Sequence, residues 1–527
     1  MSAPAAGTHG VPAGRASGIL LHPTSLPGPH GIGDLGEAAG RFLDFLAAAG
    51  QSLWQVLPLG PTGYGDSPYA CFSVFAGNPL LVSLDTLAGK GLLEANELAS
   101  APAFPATRVD YGAVIRWKMP LLRAAAERFL RRPGPDGRRA LDAFRSEEAW
   151  WLDDYCLFMA VKRRFDLRAR QKGRAGGAWN REWDRDIALR RPEALARWKR
   201  ELERETAMEE AIQFFFFSQW DALRAAARQR GIRIVGDLPI FAAPDSADVW
   251  AYRELFLLDD EGLPTVVSGV PPDYFSATGQ LWGNPLYDWA ALENQGFRFW
   301  IRRIDAARRL FDVVRIDHFR GFDACWSVPA GSATAERGKW ARVPGARLFE
   351  TLEQELGSLP IIAEDLGVIT PEVNALRERF GFPGMRILQF AFDRGEAGRL
   401  DAGNRFLPHN HTVDSVVYTG THDNDTTRGW WASRSSEEMA YLERYAASSD
   451  PEVEWRLIRM AMSSVCVYAV VPAQDVLGLG SESRMNSPGT TSAANWSWRM
   501  TEASLTPGLA SRLRGLAEVY GRLPAGS

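Results

Sequence analysis

The sequence predicts an α/β protein, a (β/α)8 TIM barrel with inserted, mainly helical subdomains. Three observations predict it. Short apolar, β-branched runs near residues 19, 54, 234, 314, 362, 388, 417 and 470 alternate with amphipathic helical patterns, the rhythm of parallel βα units. Eight such runs fit a closed barrel better than an open dinucleotide-binding sheet. The 527 residues also exceed what one simple core organises, so large insertions or further domains are required.

The elements follow in order. Residues 1–17, rich in Ala, Gly and Pro, read as a flexible N-terminus, and 18–84 start the barrel. Gly18 to His22 is the first strand. Asp34 as N-cap, with Glu37 three residues on, opens a helix that buries Phe42, Phe45 and Leu46, and Ser52 to Leu59 is the second strand. From 85 to 208 the strand pattern vanishes and Arg, Glu and Trp recur at helical spacing, which predicts an inserted helical subdomain. Its basic runs at Lys162 to Arg164 and at Arg190 and Arg191 are interleaved with acids and read as solvated helix surface. The barrel resumes over 209–244, where a helix from Ile212 to Arg230 leads into the strand Ile232 to Pro239. Residues 245–289 are strand-poor and rich in Pro, Gly and aromatics, an inserted loop region over the cleft. The rest of the barrel occupies 290–527: helices Phe297 to Leu310 and Ala346 to Leu356, a helix opened by Thr370 and Pro371, strands Met385 to Phe392, Ser415 to Thr421 and Tyr468 to Val471, and a final helix Ala503 to Arg522.

Composition excludes several classes of function. Hydrophobic and charged fractions of 46% and 24% are those of a globular protein, which rules out global disorder. Sixty basic against 64 acidic residues give a net charge of -4, with no basic field for nucleic acid or an anionic membrane. Cys71, Cys156, Cys325 and Cys466 form no CxxC pair, so neither a disulfide framework nor a thiolate zinc site is expected, and a reducing cytoplasm fits. The N-terminus has no apolar signal core, and the run Val465 to Val471 stops at Pro472, short of a membrane span. Nineteen tryptophans, about three times average usage, point to a large core and to some stacking platforms for sugar rings.

The chemistry is read from strand ends, because in a barrel the C-terminal ends of the strands converge on the site. Four predicted strands end in acids: Asp237, Asp317, Glu364 with Asp365, and Asp423 after Thr421 and His422. One such acid would pass for a helix cap or a salt bridge. Four are hard to explain structurally, since gathered carboxylates repel one another, a cost tolerated where it sets pKa values. Carboxylates with no cysteine nucleophile, P-loop, GxSxG or HExxH motif point to glycosidic bond chemistry. Zinc on His409, His411, His422 and Asp423 is the competing reading, but His318 and His422 beside acids equally suit hydrogen bonds to sugar hydroxyls.

Ordered blocks then carry a family resemblance. They include Leu21-His-Pro-Thr-Ser-Leu26, Gly60 to Tyr69, Gly236 to Ile240, Gly269-Val-Pro-Pro-Asp-Tyr-Phe275, Trp282 to Tyr287, Arg315 to Gly321, Ala363 to Gly367, Thr421 to Thr426 and Arg484-Met-Asn486. With these the chain resembles the 4-alpha-glucanotransferases (amylomaltase or disproportionating enzyme, glycoside hydrolase family 77) of the alpha-amylase clan. Ala494 stands where the family pattern has glycine. The resemblance implies Asp317 as nucleophile, Glu364 as general acid/base and Asp423 as the acid that holds sugar hydroxyls and stabilises the transition state. It implies Tyr69 as a stacking residue, with Asp66, Ser67, Asp237, Trp282, Asn284, Arg315, His318 and His422 binding substrate. It further implies maltooligosaccharide and α-glucan substrates, no metal or organic cofactor, and a monomer or small homo-oligomer. An α-1,4-glucan hydrolase with the same acids and a catalytically silent glucan-binding protein are the alternatives.

Overall fold

In the computed structural model, which describes residues 11, 12, 14–272, 276–394, 400–448 and 450–524, the apolar runs become strands. These are β1 (Ala16–Leu20), β2 (Leu53–Gln55), β3 (Arg233–Leu238), β4 (Val266–Val270), β5 (Gln280–Pro285), β6 (Val313–Ile316), β7 (Ala324–Pro329), β8 (Lys339–Arg342), β9 (Ile361–Ala363), β10 (Gly384–Ile387), β11 (Ser415–Tyr418) and β12 (Tyr468–Pro472). Eight form one parallel sheet in the order β10-β11-β12-β1-β2-β3-β6-β9, one strand at each predicted position. The Ala363 amide donates to the Pro383 carbonyl at 2.9 Å and brings the two ends of that order together, so the sheet is a near-closed barrel. Each strand is buried on both faces, which is why it reads as a continuous apolar run rather than an alternating one.

The barrel strands pack at close range. Gly18 sits opposite Leu53 in the β1–β2 register, and a Cβ there would lie 2.1 Å from the Leu53 carbonyl oxygen. Trp54 is fully buried, and its indole N–H donates to the Leu21 carbonyl at 2.8 Å. At the opposite end of the barrel Arg522 is buried and fastens the seam where the first strand meets the last: its guanidinium donates to the carbonyls of Ala16, Met462, Ser464, Cys466 and Val467.

Between β2 and β3 the chain runs through helices, the longest being Tyr111–Arg131, Gly134–Gln171 and Glu203–Gln229. Their aromatic residues interlock, as where Phe129 stacks on Phe214 and meets Phe215 edge-on. Trp179, Trp220, Trp250 and Trp300 are fully buried, so much of the tryptophan excess is core. Among the described residues no helix is long and apolar enough to cross a membrane.

The structure corrects several expectations. Residues 16 and 17 belong to β1, not to a flexible tail, because the Ala16 amide donates to Val467 of the neighbouring segment. The first helix is Glu37–Ala48 with Gly36 at its N-cap; Asp34 instead accepts the Gly36 amide at 2.9 Å and holds the turn before it. The run Met385 to Phe392 is strand only to Ile387, and Leu388–Ala391 forms a helical turn. The final helix is shorter than expected, Pro507–Val519. The region 245–289 is not strand-poor: it holds β4 and β5, which join β7 and β8 in an antiparallel sheet ordered β5-β4-β7-β8. The Asp273-Tyr-Phe275 end of the predicted motif lies outside the described residues.

Candidate active site

The site is built where β3 and β6 pair. Their register sets Asp237 beside Arg315, and the two-residue period of a strand turns Asp317 the same way as Arg315. One guanidinium therefore spans two carboxylates. Nη1 of Arg315 donates to Oδ1 and Oδ2 of Asp237 at 2.7 and 2.6 Å, while Nη2 pairs with Oδ1 of Asp317 at 2.9 Å. The Tyr69 hydroxyl donates to Oδ2 of Asp237 at 2.8 Å and completes its shell. Burial opposes the charge of Arg315, but Asp237 and Asp317 outweigh it and hold the guanidinium well above its ordinary value. The Arg315 and Asp237 side chains are 4% and 0% exposed, whereas the Asp317 side chain, at 32%, is the one of the three open to solvent.

Glu364 follows the end of β9. Its Oε2 accepts the His318 amide at 2.8 Å and its Oε1 the Leu366 amide at 2.7 Å. Burial and then the negative charge of Asp317 outweigh those donors and Arg315, and push the carboxyl up to about 8. Glu364 is therefore protonated at neutral pH, next to a carboxylate held by a cation. His318 lies in the left-handed region, with φ 52° and ψ 50°, in the turn that sends its amide to Glu364. Desolvation lowers its ring to about 4, so it stays neutral. Trp282, 39% exposed on β5, meets that ring edge-on at 4.7 Å, and Phe241 lies 6.4 Å from both.

Asp423 stands in the turn after β11. Nδ2 of Asn486 donates to its Oδ1 at 2.7 Å, Nε2 of His422 is 3.5 Å from its Oδ2, and Nη2 of Arg484 donates to its backbone carbonyl at 2.6 Å. Tyr69 stacks on His422 at 5.2 Å, and Trp496 flanks both rings. Burial and then the charge of Asp237 raise the Tyr69 phenol well above its usual range, with Asp317 and Asp423 adding to the effect. The acids of separate strands thus gather round one tyrosine.

The other predicted residues divide. Asn284 donates to the Ala242 carbonyl at 3.1 Å and ties β5 to the loop after β3. Hydrogen bonds of Asp66 and Ser67 run within their own turn: Ser67 Oγ accepts the Tyr69 amide at 3.2 Å, so it positions Tyr69. His409 and His411 are engaged elsewhere, with Tyr445 and Ala402 and with Ser464 and Phe406 respectively, and do not join His422. Sequence reasoning assigned no role to Asn486, Trp496 or His22. Arg484-Met-Asn486 was visible as a motif block, but its pairing with Asp423 across 63 residues was not. His22 lies buried near His422 and is lowered to about 3, first by desolvation and then by that neighbour.

A family model described as 4-alpha-glucanotransferase, glycoside hydrolase family 77, matches residues 21–506. The chain belongs to this family. It is 53% identical over 518 residues to the 4-alpha-glucanotransferase of Thermus thermophilus, covering 97% of this chain and 99% of that one. With the chloroplastic/amyloplastic 4-alpha-glucanotransferase of Solanum tuberosum it shares 46% identity over 97% of this chain and 87% of the relative. The solved amylomaltase of Streptococcus agalactiae, in complex with acarbose, superposes with a TM-score of 0.91 at 38% identity, covering 96% of this chain and 99% of that one. As a 4-alpha-glucanotransferase the chain is a transferase acting on alpha-1,4-glucans, with the (β/α)8 fold of the amylomaltases.

Proposed function

We propose that the enzyme moves α-1,4-glucan segments between maltooligosaccharides or starch-type glucans by double displacement with retention. Asp317 attacks the anomeric carbon as the bond to the leaving 4-oxygen breaks and Glu364 gives that oxygen its proton; the product is a glucanyl ester on Asp317. Glu364 then takes the proton from the 4-hydroxyl of an incoming glucan, which displaces Asp317. Asp423 holds sugar hydroxyls through the transition state. Tyr69 stacks on the donor sugar, and Asp66, Ser67, Asp237, Trp282, Asn284, Arg315, His318 and His422 bind or orient the chain.

One observation carries this reading: two neighbouring carboxyls have opposite settings. Asp317 is paired with Arg315 at 2.9 Å, while Glu364 is pushed up by burial and by Asp317 itself. Forming the ester removes the charge of Asp317 and with it one of the two causes that keep Glu364 protonated. The acid of the first step thereby becomes the base of the second. Acceptor sugar must outcompete water, and the 245–289 region over the cleft serves that exclusion. The four cysteines are free thiols, which supports a reducing, cytoplasmic setting, and the enzyme works as a monomer or small homo-oligomer.

Maltotriose as sole substrate tests the reading. Transfer breaks one bond and makes one, so longer chains and glucose appear while total reducing ends stay constant. If reducing ends rise in step with maltotriose loss and nothing longer forms, the protein is a hydrolase.

A further inference from the structure

A cavity beside the segment that carries His422 and Asp423 is lined by Thr421, His422, Asn424, His22 and Asp475 among others. Atoms that line a cavity lose van der Waals partners on that side, so hydrogen bonds contribute more to the position of such a segment. Asp475, three residues past the end of β12, is 1% exposed and has no salt bridge among the described residues. Its carboxylate instead takes hydrogen bonds from both ends of the segment. Oδ2 accepts the hydroxyls of Thr419 and Thr427 at 2.5 and 2.7 Å, and Oδ1 accepts the Thr427 amide at 2.7 Å. Thr419 follows β11 directly, and Thr427 opens the helix Thr427–Ala432. Between these ends, Nε2 of the Gln389 side chain donates to the Asp425 carbonyl at 2.8 Å. Burying a carboxylate without a cation is expensive. Three donors, one of them the amide that opens a helix, offset that cost, and all three lie on the segment that carries Asp423.

We propose that Asp475 is a positioning residue of the reaction: it clasps residues 419 and 427 and so fixes where Asp423 presents its carboxyl to the sugar. This rests on the reading of Asp423 as the acid that stabilises the transition state. A misplacement of about 1 Å at a reacting centre costs on the order of 10²-fold in rate. Asp475→Ala should therefore lower kcat on maltotriose, per folded molecule, by about tenfold or more, with KM within about twofold of wild type. Asp475→Asn should restore kcat to within about fivefold. Its amide nitrogen donates to the two threonine hydroxyls with their polarity reversed, and its oxygen keeps the Thr427 amide.

A double-mutant cycle with Asp423→Asn, followed with maltotriosyl fluoride as activated donor, separates positioning from a merely structural role. The expected result is that Asp475→Ala costs little further once Asp423 is gone. If Asp423→Asn alone keeps its activity, the reading of Asp423 fails and this inference falls with it. If Asp423→Asn is impaired but Asp475→Ala lowers kcat by the same factor with and without Asp423, or leaves kcat per folded molecule unchanged, only the positioning role of Asp475 is overturned. Should Asp475→Ala not fold, Thr419→Val and Thr427→Val each remove one hydroxyl tie and enter the same cycle. Several-fold losses of kcat that vanish in the Asp423→Asn background support the role, and additive or absent losses refute it.

Discussion

Replacing Glu364 by Gln should inactivate the enzyme and remove a loss of stability that the wild type undergoes as pH rises. The carboxyl titrates near 4.5 when unfolded and at about 8 in the folded protein, because burial and Asp317 disfavour its charge. The native state therefore binds the extra proton between those values, and stability falls as pH rises through that window. At about 1.4 kcal/mol per pH unit the loss reaches ~3 kcal/mol at pH 7 and ~5 kcal/mol above pH 8. Glu364 keeps a partly exposed edge on the cleft, and solvent there trims these figures. Gln carries no such titration. It has one acceptor oxygen for the two amides of His318 and Leu366, so it also forfeits one hydrogen bond, at about 1–3 kcal/mol independent of pH. The slope, not the offset, is diagnostic. Urea unfolding of both proteins from pH 5 to 9 should show wild type losing stability relative to Glu364→Gln across the window and levelling off beyond it. A difference that does not vary with pH would refute the raised carboxyl, and with it the assignment of Glu364 as the resting acid. The same variant should lose about 10³-fold or more in kcat.

The first chemical step needs the Glu364 proton, so kcat/KM for maltotriose should fall as pH rises through about 8; a profile flat to pH 10 contradicts this. Arg315→Met leaves Asp237 and Asp317 without their shared cation, and urea unfolding should register a loss of about 3–5 kcal/mol together with a collapse of kcat. Tyr69→Phe keeps the ring on His422 but removes the hydroxyl from Asp237, and should cost about 1.5–3 kcal/mol, read from thermal unfolding. Gly18→Ala drives a methyl into the Leu53 carbonyl and should lower the melting temperature sharply, where an ordinary strand glycine would tolerate alanine.

The barrel was legible because parallel strands covered on both faces leave apolar runs, and because a carboxylate at the end of such a run has few structural excuses. Asp317 and Glu364 directly follow β6 and β9, where the pattern put them. The antiparallel sheet was not legible. Val266–Val270 carries a glycine and Gln280–Pro285 a glycine and a proline, so propensity argues for loop, and pairing makes them strands, β4 with β7 across some sixty residues and β5 with β4. Gly384–Ile387 was overextended because Leu388–Ala391 is equally apolar, and burial alone does not separate a short strand from a helical turn. The amides on Glu364 and the Asn486 side chain on Asp423 are long-range or backbone contacts with no local signature.

The seam fastened by Arg522 bears on the order in which the molecule is made. β1 pairs with β12, which follows some 450 positions later, and the carbonyl of Ala16 shares its arginine with those of Cys466 and Val467. Asn486, the partner of Asp423, also lies late in the chain. A ribosome-bound chain that has exposed every proposed catalytic acid still lacks the strand that closes the barrel beside β1 and the side chain that holds the third acid. Activity should therefore switch on only as the segment from 468 to 522 emerges, and until then the open edge of β1 is what a chaperone has to cover.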